Sequence, residues 1–226
     1  MDLSTPKPSD EDPRDGAPPP RSGPVLTREA CAERLHSFER TVAPPSDTRR
    51  AAVALALITG DAGTRLLLTR RPPTMRAHAG QFALPGGSID PGESAEQAAV
   101  RELAEELGVQ AQAGDVVGAL DDYVTRSGFV ITPVVVWVGE PAGPITPNPA
   151  EVAFVFEVTM AEVDVDAVLE AVTNSPAGTP PMLRWPFRGG AMHAPTGAIV
   201  HQFREVVLHG RATRVAEYSQ PDFAAR

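Results

Sequence analysis

The stretch from Pro85 to Val109, PGGSIDPGESAEQAAVRELAEELGV, constrains this chain more than any other. It joins a glycine turn to a short loop and then to a run dense with carboxylates. Gly87 is followed after five residues by Glu93. Seven residues further come Arg101-Glu102-Leu103, any residue, Glu105-Glu106, any residue, then Gly108 and Val109. With roughly one chance in fifteen at each position of fixed type, a random match is on the order of 10⁻⁶ in a chain this long. The pattern therefore carries structural meaning.

Ser94 suits an N-cap, and Gln97 completes a capping box. Gly108 suits the left-handed position just past a helix end. The spacing predicts a helix over about Ser94 to Leu107. At about 100° per residue, Val100, Leu103, Ala104 and Leu107 form an apolar stripe, with Glu102, Glu105 and Glu106 opposite. Glu102 and Glu106 stand one turn apart, so their carboxylates can converge, and Arg101 stands one turn before Glu105. An ordinary amphipathic surface helix also carries glutamates opposite its stripe. The glycine turn tips the balance. Like charges at this spacing repel, so three together gain from a cation. Hard oxygen donors suit Mg²⁺ or Mn²⁺. Gly86 and Gly87 leave room for the backbone to approach the same point.

Gly87, Glu93, Arg101, Glu102, Leu103, Glu105, Glu106, Gly108 and Val109 together resemble a complete Nudix box. The resemblance implies an α/β protein, an α/β/α sandwich with a mixed sheet, that hydrolyses a diphosphate linked to another moiety. It implies Glu102, Glu105 and Glu106 as metal ligands, with Arg101 and Glu93 holding loop and helix in register. Glu102, Glu105 and Arg101 are thereby candidate catalytic residues.

A second pattern precedes the box. Residues Leu67 to Gly87 read LLTRRPPTMRAHAGQFALPGG, gathering Arg70, Arg71 and Arg76 before the glycine turn. Guanidinium groups bind phosphate through two donors at once, although isolated loop arginines are as a rule merely solvated. The positions of Leu67, Leu68, Thr69, Arg71, Arg76, Gly80, Pro85, Gly86 and Gly87 are similar to the pattern of the coenzyme A pyrophosphatases, a Nudix subfamily. Ser127-Gly128-Phe129, continuing to Thr132-Pro133, looks like the same subfamily. The resemblance implies that Arg71, Arg76, Gly86 and Gly87 contact substrate. Two positions depart from it. Pro72 stands where the subfamily has Ser or Ala, and is expected to redirect the loop. Leu84 stands where it has Phe, and is expected to remove an aromatic wall.

The implied reaction is attack of a metal-activated water on one phosphorus of the diphosphate, with a carboxylate as base. Glu102 and Glu151 are both candidates, because such folds often supply a glutamate from a later loop; Glu157 is a further one. For coenzyme A the implied products are 3′-phosphoadenosine 5′-phosphate and 4′-phosphopantetheine. Another Nudix substrate (ADP-ribose, a nucleotide sugar or a nucleoside triphosphate) stays open, as does a Nudix-fold binding module without turnover.

The 226 residues suit one domain with trimmings. Residues 1–24 read as a disordered Pro-rich tail. Residues 25–226 read as one domain with N-terminal and C-terminal helical extensions. The formal net charge of −9 makes general nucleic-acid binding unfavourable. Cys31 is the only cysteine, which excludes an internal disulfide and suits a reducing, cytoplasmic setting. The N-terminus lacks the apolar run of a signal peptide, and no run is long enough to span a bilayer. Oligomeric state stays open, a homodimer included.

Along the chain, a helix is expected over Arg28 to Arg40, strands over Arg50 to Ile58 and Arg65 to Arg70, and a turn between those strands. Strands are expected over Val116 to Thr125, Phe129 to Val138 and Glu151 to Val158. A helix is expected over Met160 to Val172 and a hairpin over Met182 to Met192. A last helix, capped by Thr196, is expected to run to about His209. Trp185 and Phe187 read as core residues that could otherwise stack a base. His78 reads as a loop residue that could touch substrate. His201 and His209 read as structural or exposed, and Cys31 lacks a nearby activating base.

Overall fold

The structure, a computed structural model, describes residues 25–45, 47–75, 78–172, 176, 179–188 and 190–220. The expected tail 1–24 and the candidate Arg76 lie outside the described residues. In chain order the elements are α1 (Arg28–His36), β1 (Arg49–Ile58), β2 (Arg65–Arg70), β3 (Phe82–Ala83), β4 (Gly86–Ser88) and α2 (Ala95–Leu107). Then come β5 (Val116–Ala119), β6 (Tyr123–Val124), β7 (Phe129–Gly139), β8 (Phe154–Thr159), α3 (Met160–Val163), β9 (Val168–Glu170), β10 (Met182–Phe187), β11 (Gly190–His193) and α4 (Thr196–Phe203).

The main sheet is mixed. β1 and β7 run parallel through its centre, while β2, β4, β5 and β6 pair antiparallel to one or other of them. β2 also carries β3 and β8. The alternation along β1 shows how the layers form. Ala52, Ala54 and Ala56 face α2, packing with Ala98, Ala99, Leu103 and Leu107. Leu55 and Leu57 face the other way, into a core shared with Leu35 of α1 and Ile199 and Phe203 of α4. Small side chains on one face let α2 sit close; large ones on the other fill a thicker layer. The result is an α/β/α sandwich. A smaller antiparallel sheet, β9–β10–β11, adds Leu183, Trp185 and Phe187 to the same core. Among the described residues no helix is long and apolar enough to cross a membrane.

Several elements differ from the sequence expectation. α1 ends at His36 rather than Arg40, closed by the Ser37 N–H on the Glu33 carbonyl. The strand expected over Val116 to Thr125 is broken into β5 and β6 around Asp121 and Asp122. Both carboxylates are buried and fully engaged. Asp121 accepts from Thr41 N–H, Gln202 and Arg214. Asp122 accepts from Arg40, Ala43 N–H, Arg50 and Thr132. The helix expected over Met160 to Val172 stops after Val163, because the Asp164 carboxylate is held by Arg204 at 3.0 Å and His209 at 2.6 Å. The chain then turns into β9. Thr196 opens α4 without capping it, its hydroxyl donating instead to the Phe82 carbonyl at 3.3 Å. α4 continues as a π-turn over Arg204–Leu208.

Candidate active site

α2 forms as its sequence dictates. The Ser94 hydroxyl accepts the Gln97 N–H, the Gln97 side chain accepts the Ser94 N–H at 2.8 Å, and Gly108 closes the helix at φ 67°. The buried face is rotated from the expected stripe. Ala98, Ala99, Leu103 and Leu107 are buried, while Val100 and Ala104 are half-buried. Glu106, expected opposite the stripe, is only 5% exposed.

The glycine turn explains where that buried carboxylate goes. β4 pairs with Ala51 to Val53 of β1 so closely that a side chain on Gly86 would strike the Ala52 carbonyl and the Val53 backbone. The Gly86 N–H lies close enough to the Glu106 carboxylate to favour its charged form. The Glu102 carboxylate lies against Gly87, in the space a Cβ there would fill. Gly86 and Gly87 thus face two of the box carboxylates.

Arg101 ties loop to helix. Its Nε and Nη2 donate to the two oxygens of Glu93 at 2.9 and 3.0 Å, and Nη2 also reaches the Ser88 carbonyl at 3.0 Å. Its Nη1 donates to Glu102 at 2.8 Å and Glu105 at 3.0 Å. This hydrogen bonding lowers the Glu93 carboxyl pKa and raises that of the guanidinium.

The loop after β7 brings in a fourth carboxylate. Thr146 N–H donates to the Leu107 carbonyl and Asn148 N–H to the Glu106 carbonyl, each at 2.8 Å. These are last-turn carbonyls that the helix itself leaves unpaired. The loop fastened there brings the Glu151 charge within electrostatic reach of Glu102 and Glu106. Burial pushes the Glu106 carboxyl up to about 7; the Gly86 N–H opposes this, the Glu102 and Glu151 charges add to it, and the Arg71 charge opposes it. Glu102 is raised as well, first by burial, against its bond and charge pairing with Arg101, with the Glu105 and Glu151 charges adding to the rise. Arg71 therefore stands within electrostatic reach of Glu106. Its Nε is buried and has no hydrogen-bond partner among the described residues.

Glu102, Glu105, Glu106 and Glu151 supply oxygen donors of the kind a hard divalent cation takes, with Glu106 buried. As placed, no three acidic, histidine or cysteine side chains among the described residues are gathered on one point. Arg101 is the cation that Glu102 and Glu105 hold, and the like charges of Glu102 and Glu151 act on Glu106. A divalent ion would relieve that repulsion.

The remaining candidates lie elsewhere. Glu157 pairs with Arg65 at 2.7 Å. Trp185 and Phe187 stack in the core at 5.6 Å. His78 sits at φ 55° with its Nδ1 3.2 Å from the Gln81 side chain. His209 holds Asp164, and His201 lies edge-on to Tyr218. Cys31 is buried, and burial pushes its thiol up to about 12. Leu84 is 5% exposed and packs within the core shared with α1 and α4. Pro72 is buried and starts the turn closed by Met75 N–H on its carbonyl, while Arg71 N–H bonds the Gln81 carbonyl at 2.9 Å. Sequence reasoning named Glu151 as a candidate and did not single out Thr146 and Asn148; the Pro147-Asn148-Pro149 run is a local sign of a fixed loop there.

The fold is a mixed sheet between helices with a carboxylate helix behind a glycine turn, and comparison with known proteins gives its family. The family model for the NUDIX domain matches residues 48–185. A protein of Photorhabdus laumondii subsp. laumondii named uncharacterized Nudix hydrolase NudL is 40% identical over 134 residues, covering 57% of this chain and 71% of that one. A protein of the same name in Yersinia pestis is 43% identical over 151 residues, covering 61% and 74%. Among solved structures, the MutT protein from Methanosarcina mazei Go1 aligns with a TM-score of 0.42 at 24% identity, covering 56% of this chain and 83% of that one. The chain belongs to the Nudix hydrolase family.

Proposed function

We propose that this Nudix hydrolase is a diphosphatase of coenzyme A or acyl-CoA that uses Mg²⁺ or Mn²⁺ in the cytoplasm. The observation that carries the reading is the placement of Glu102 against Gly87 and of the buried Glu106 beside Gly86, with the charges of Glu151 and Arg71 within electrostatic reach. Glu102, Glu105 and Glu106 would hold the metal. A divalent cation held there would lower the pKa of an attacking water and offset charge developing on the phosphoryl oxygens. Glu151, the carboxylate brought in from the loop, takes the proton from that water. Arg71, with an unused buried donor, binds a phosphate oxygen of the substrate; Arg76 is assigned to the same task from the sequence pattern. The Gly86–Gly87 backbone keeps the approach to the diphosphate clear of side chains. Arg101 holds the loop to the helix and orients Glu102 and Glu105. The choice of coenzyme A rests on the pattern from Leu67 to Gly87.

The test is a panel of coenzyme A, ADP-ribose, a nucleotide sugar and a nucleoside triphosphate with Mg²⁺ or Mn²⁺, the products resolved by mass. Coenzyme A should show the highest kcat/KM and yield 3′-phosphoadenosine 5′-phosphate with 4′-phosphopantetheine. Equal or better turnover of ADP-ribose would overturn the substrate assignment.

A further inference from the structure

Glu151 belongs to a loop, yet the loop is fastened at several points, and Asn148 accounts for most of them. Its N–H donates to the Glu106 carbonyl at 2.8 Å. Its own carbonyl accepts the N–H groups of Glu151 at 3.0 Å and Val152 at 2.8 Å. Its side-chain oxygen accepts the Ala150 N–H at 3.1 Å. Asn148 thus caps a single helical turn that carries Glu151, in the way an N-cap side chain satisfies the first free donors of a longer helix. Pro147 and Pro149 on either side have no N–H to give and fixed φ angles, which limits the conformations open to the loop. Beyond the turn, Val152 is 2% exposed among the α2-facing core residues. Ala153 N–H then bonds the Arg70 carbonyl at 2.8 Å, next to Arg71. One short segment therefore joins the last turn of α2 to the arginine strand, with Glu151 between them.

We infer that Asn148 is a positioning residue: by capping the turn over Glu106 it sets the Glu151 carboxylate against Glu102 and Glu106. The inference rests on the reading of Glu151 as the base. A proton acceptor a short distance out of place loses much of its rate advantage while substrate contacts elsewhere persist. The cap therefore acts on kcat.

The experiment measures kcat, KM and Tm for Asn148→Ala, Asn148→Ser, Glu151→Gln and the double variant Asn148→Ala/Glu151→Gln. Loss of the cap should lower kcat about tenfold with KM changed by less than about twofold. Asn148→Ser should recover most of the rate, because serine also accepts an N–H at this position. In the Glu151→Gln background, Asn148→Ala should bring no further loss. If Asn148→Ala multiplies the Glu151→Gln loss, or Asn148→Ser does no better than Ala, Asn148 serves stability alone and the inference falls while Glu151 stands as base. If Glu151→Gln keeps wild-type kcat, the assignment of the base falls and takes the inference with it.

Discussion

The Glu102 carboxylate occupies the space that a side chain on Gly87 would need. A methyl at Gly87 meets only the far end of a flexible side chain, whereas one at Gly86 would lie 2.7 Å from the Val53 Cα. The two neighbouring glycines should therefore fail differently. Gly87→Ala should leave Tm within a few degrees of wild type but lower kcat about a hundredfold by displacing Glu102. Gly86→Ala should lower Tm markedly, because backbone cannot yield so cheaply. Parallel melting curves and turnover assays separate the two, and equal loss of Tm in both would refute the distinction.

Leu84 stands where the coenzyme A pattern has Phe, and it is packed in the core on the side away from α2. Leu84→Phe should thus overpack the core and cost about 1–3 kcal/mol in a urea melt. The ratio of kcat/KM for coenzyme A over ADP-ribose should not move. A change of substrate preference would put Leu84 back at the site.

Acid should weaken the C-terminal part in two steps. Burial lowers the His201 pKa below its ordinary 6.5, against the Glu205 charge and with help from Arg204. The folded protein therefore favours neutral His201, and this share of stability is complete above about pH 6.5 and lost as pH falls. Burial opposes ionisation of Glu205, but hydrogen bonding and charge from Arg211, with the Arg204 charge, lower its pKa below 4.5. Its share is present above about pH 4.5 and lost below. Glu106, raised to about 7, works in the opposite sense, so the informative quantity is the difference between proteins. The stability of wild type relative to His201→Gln, from urea midpoints, should decline between pH 6.5 and 5. A flat difference over that window would contradict the His201 assignment.

How much of this was legible beforehand divides by range. The caps of α2 and the Arg101–Glu105 pair lie within a few turns of one another, so local spacing revealed them, whereas the Arg101–Glu93 pairing came from the family resemblance. The rotation of α2 that buries Glu106 depends on the alanines of β1, which no local pattern connects to the helix. The break between β5 and β6 and the early end of α3 follow from carboxylates claimed by distant groups: Gln202 and Arg214 for Asp121, Arg204 and His209 for Asp164. Such partners, 40 or more positions away, leave no periodic trace. Glu151 was nameable as a candidate, but the carbonyls of Glu106 and Leu107 that fix its loop become visible only in three dimensions.

On the proposed function, Glu102, Glu105 and Glu106 would hold the metal that drives hydrolysis. Glu106→Gln tests it most directly, because the buried side chain keeps its shape and loses only its charge. Turnover of coenzyme A with saturating Mg²⁺ should fall by about three orders of magnitude while Tm stays level or rises. Turnover within a few-fold of wild type would contradict the account.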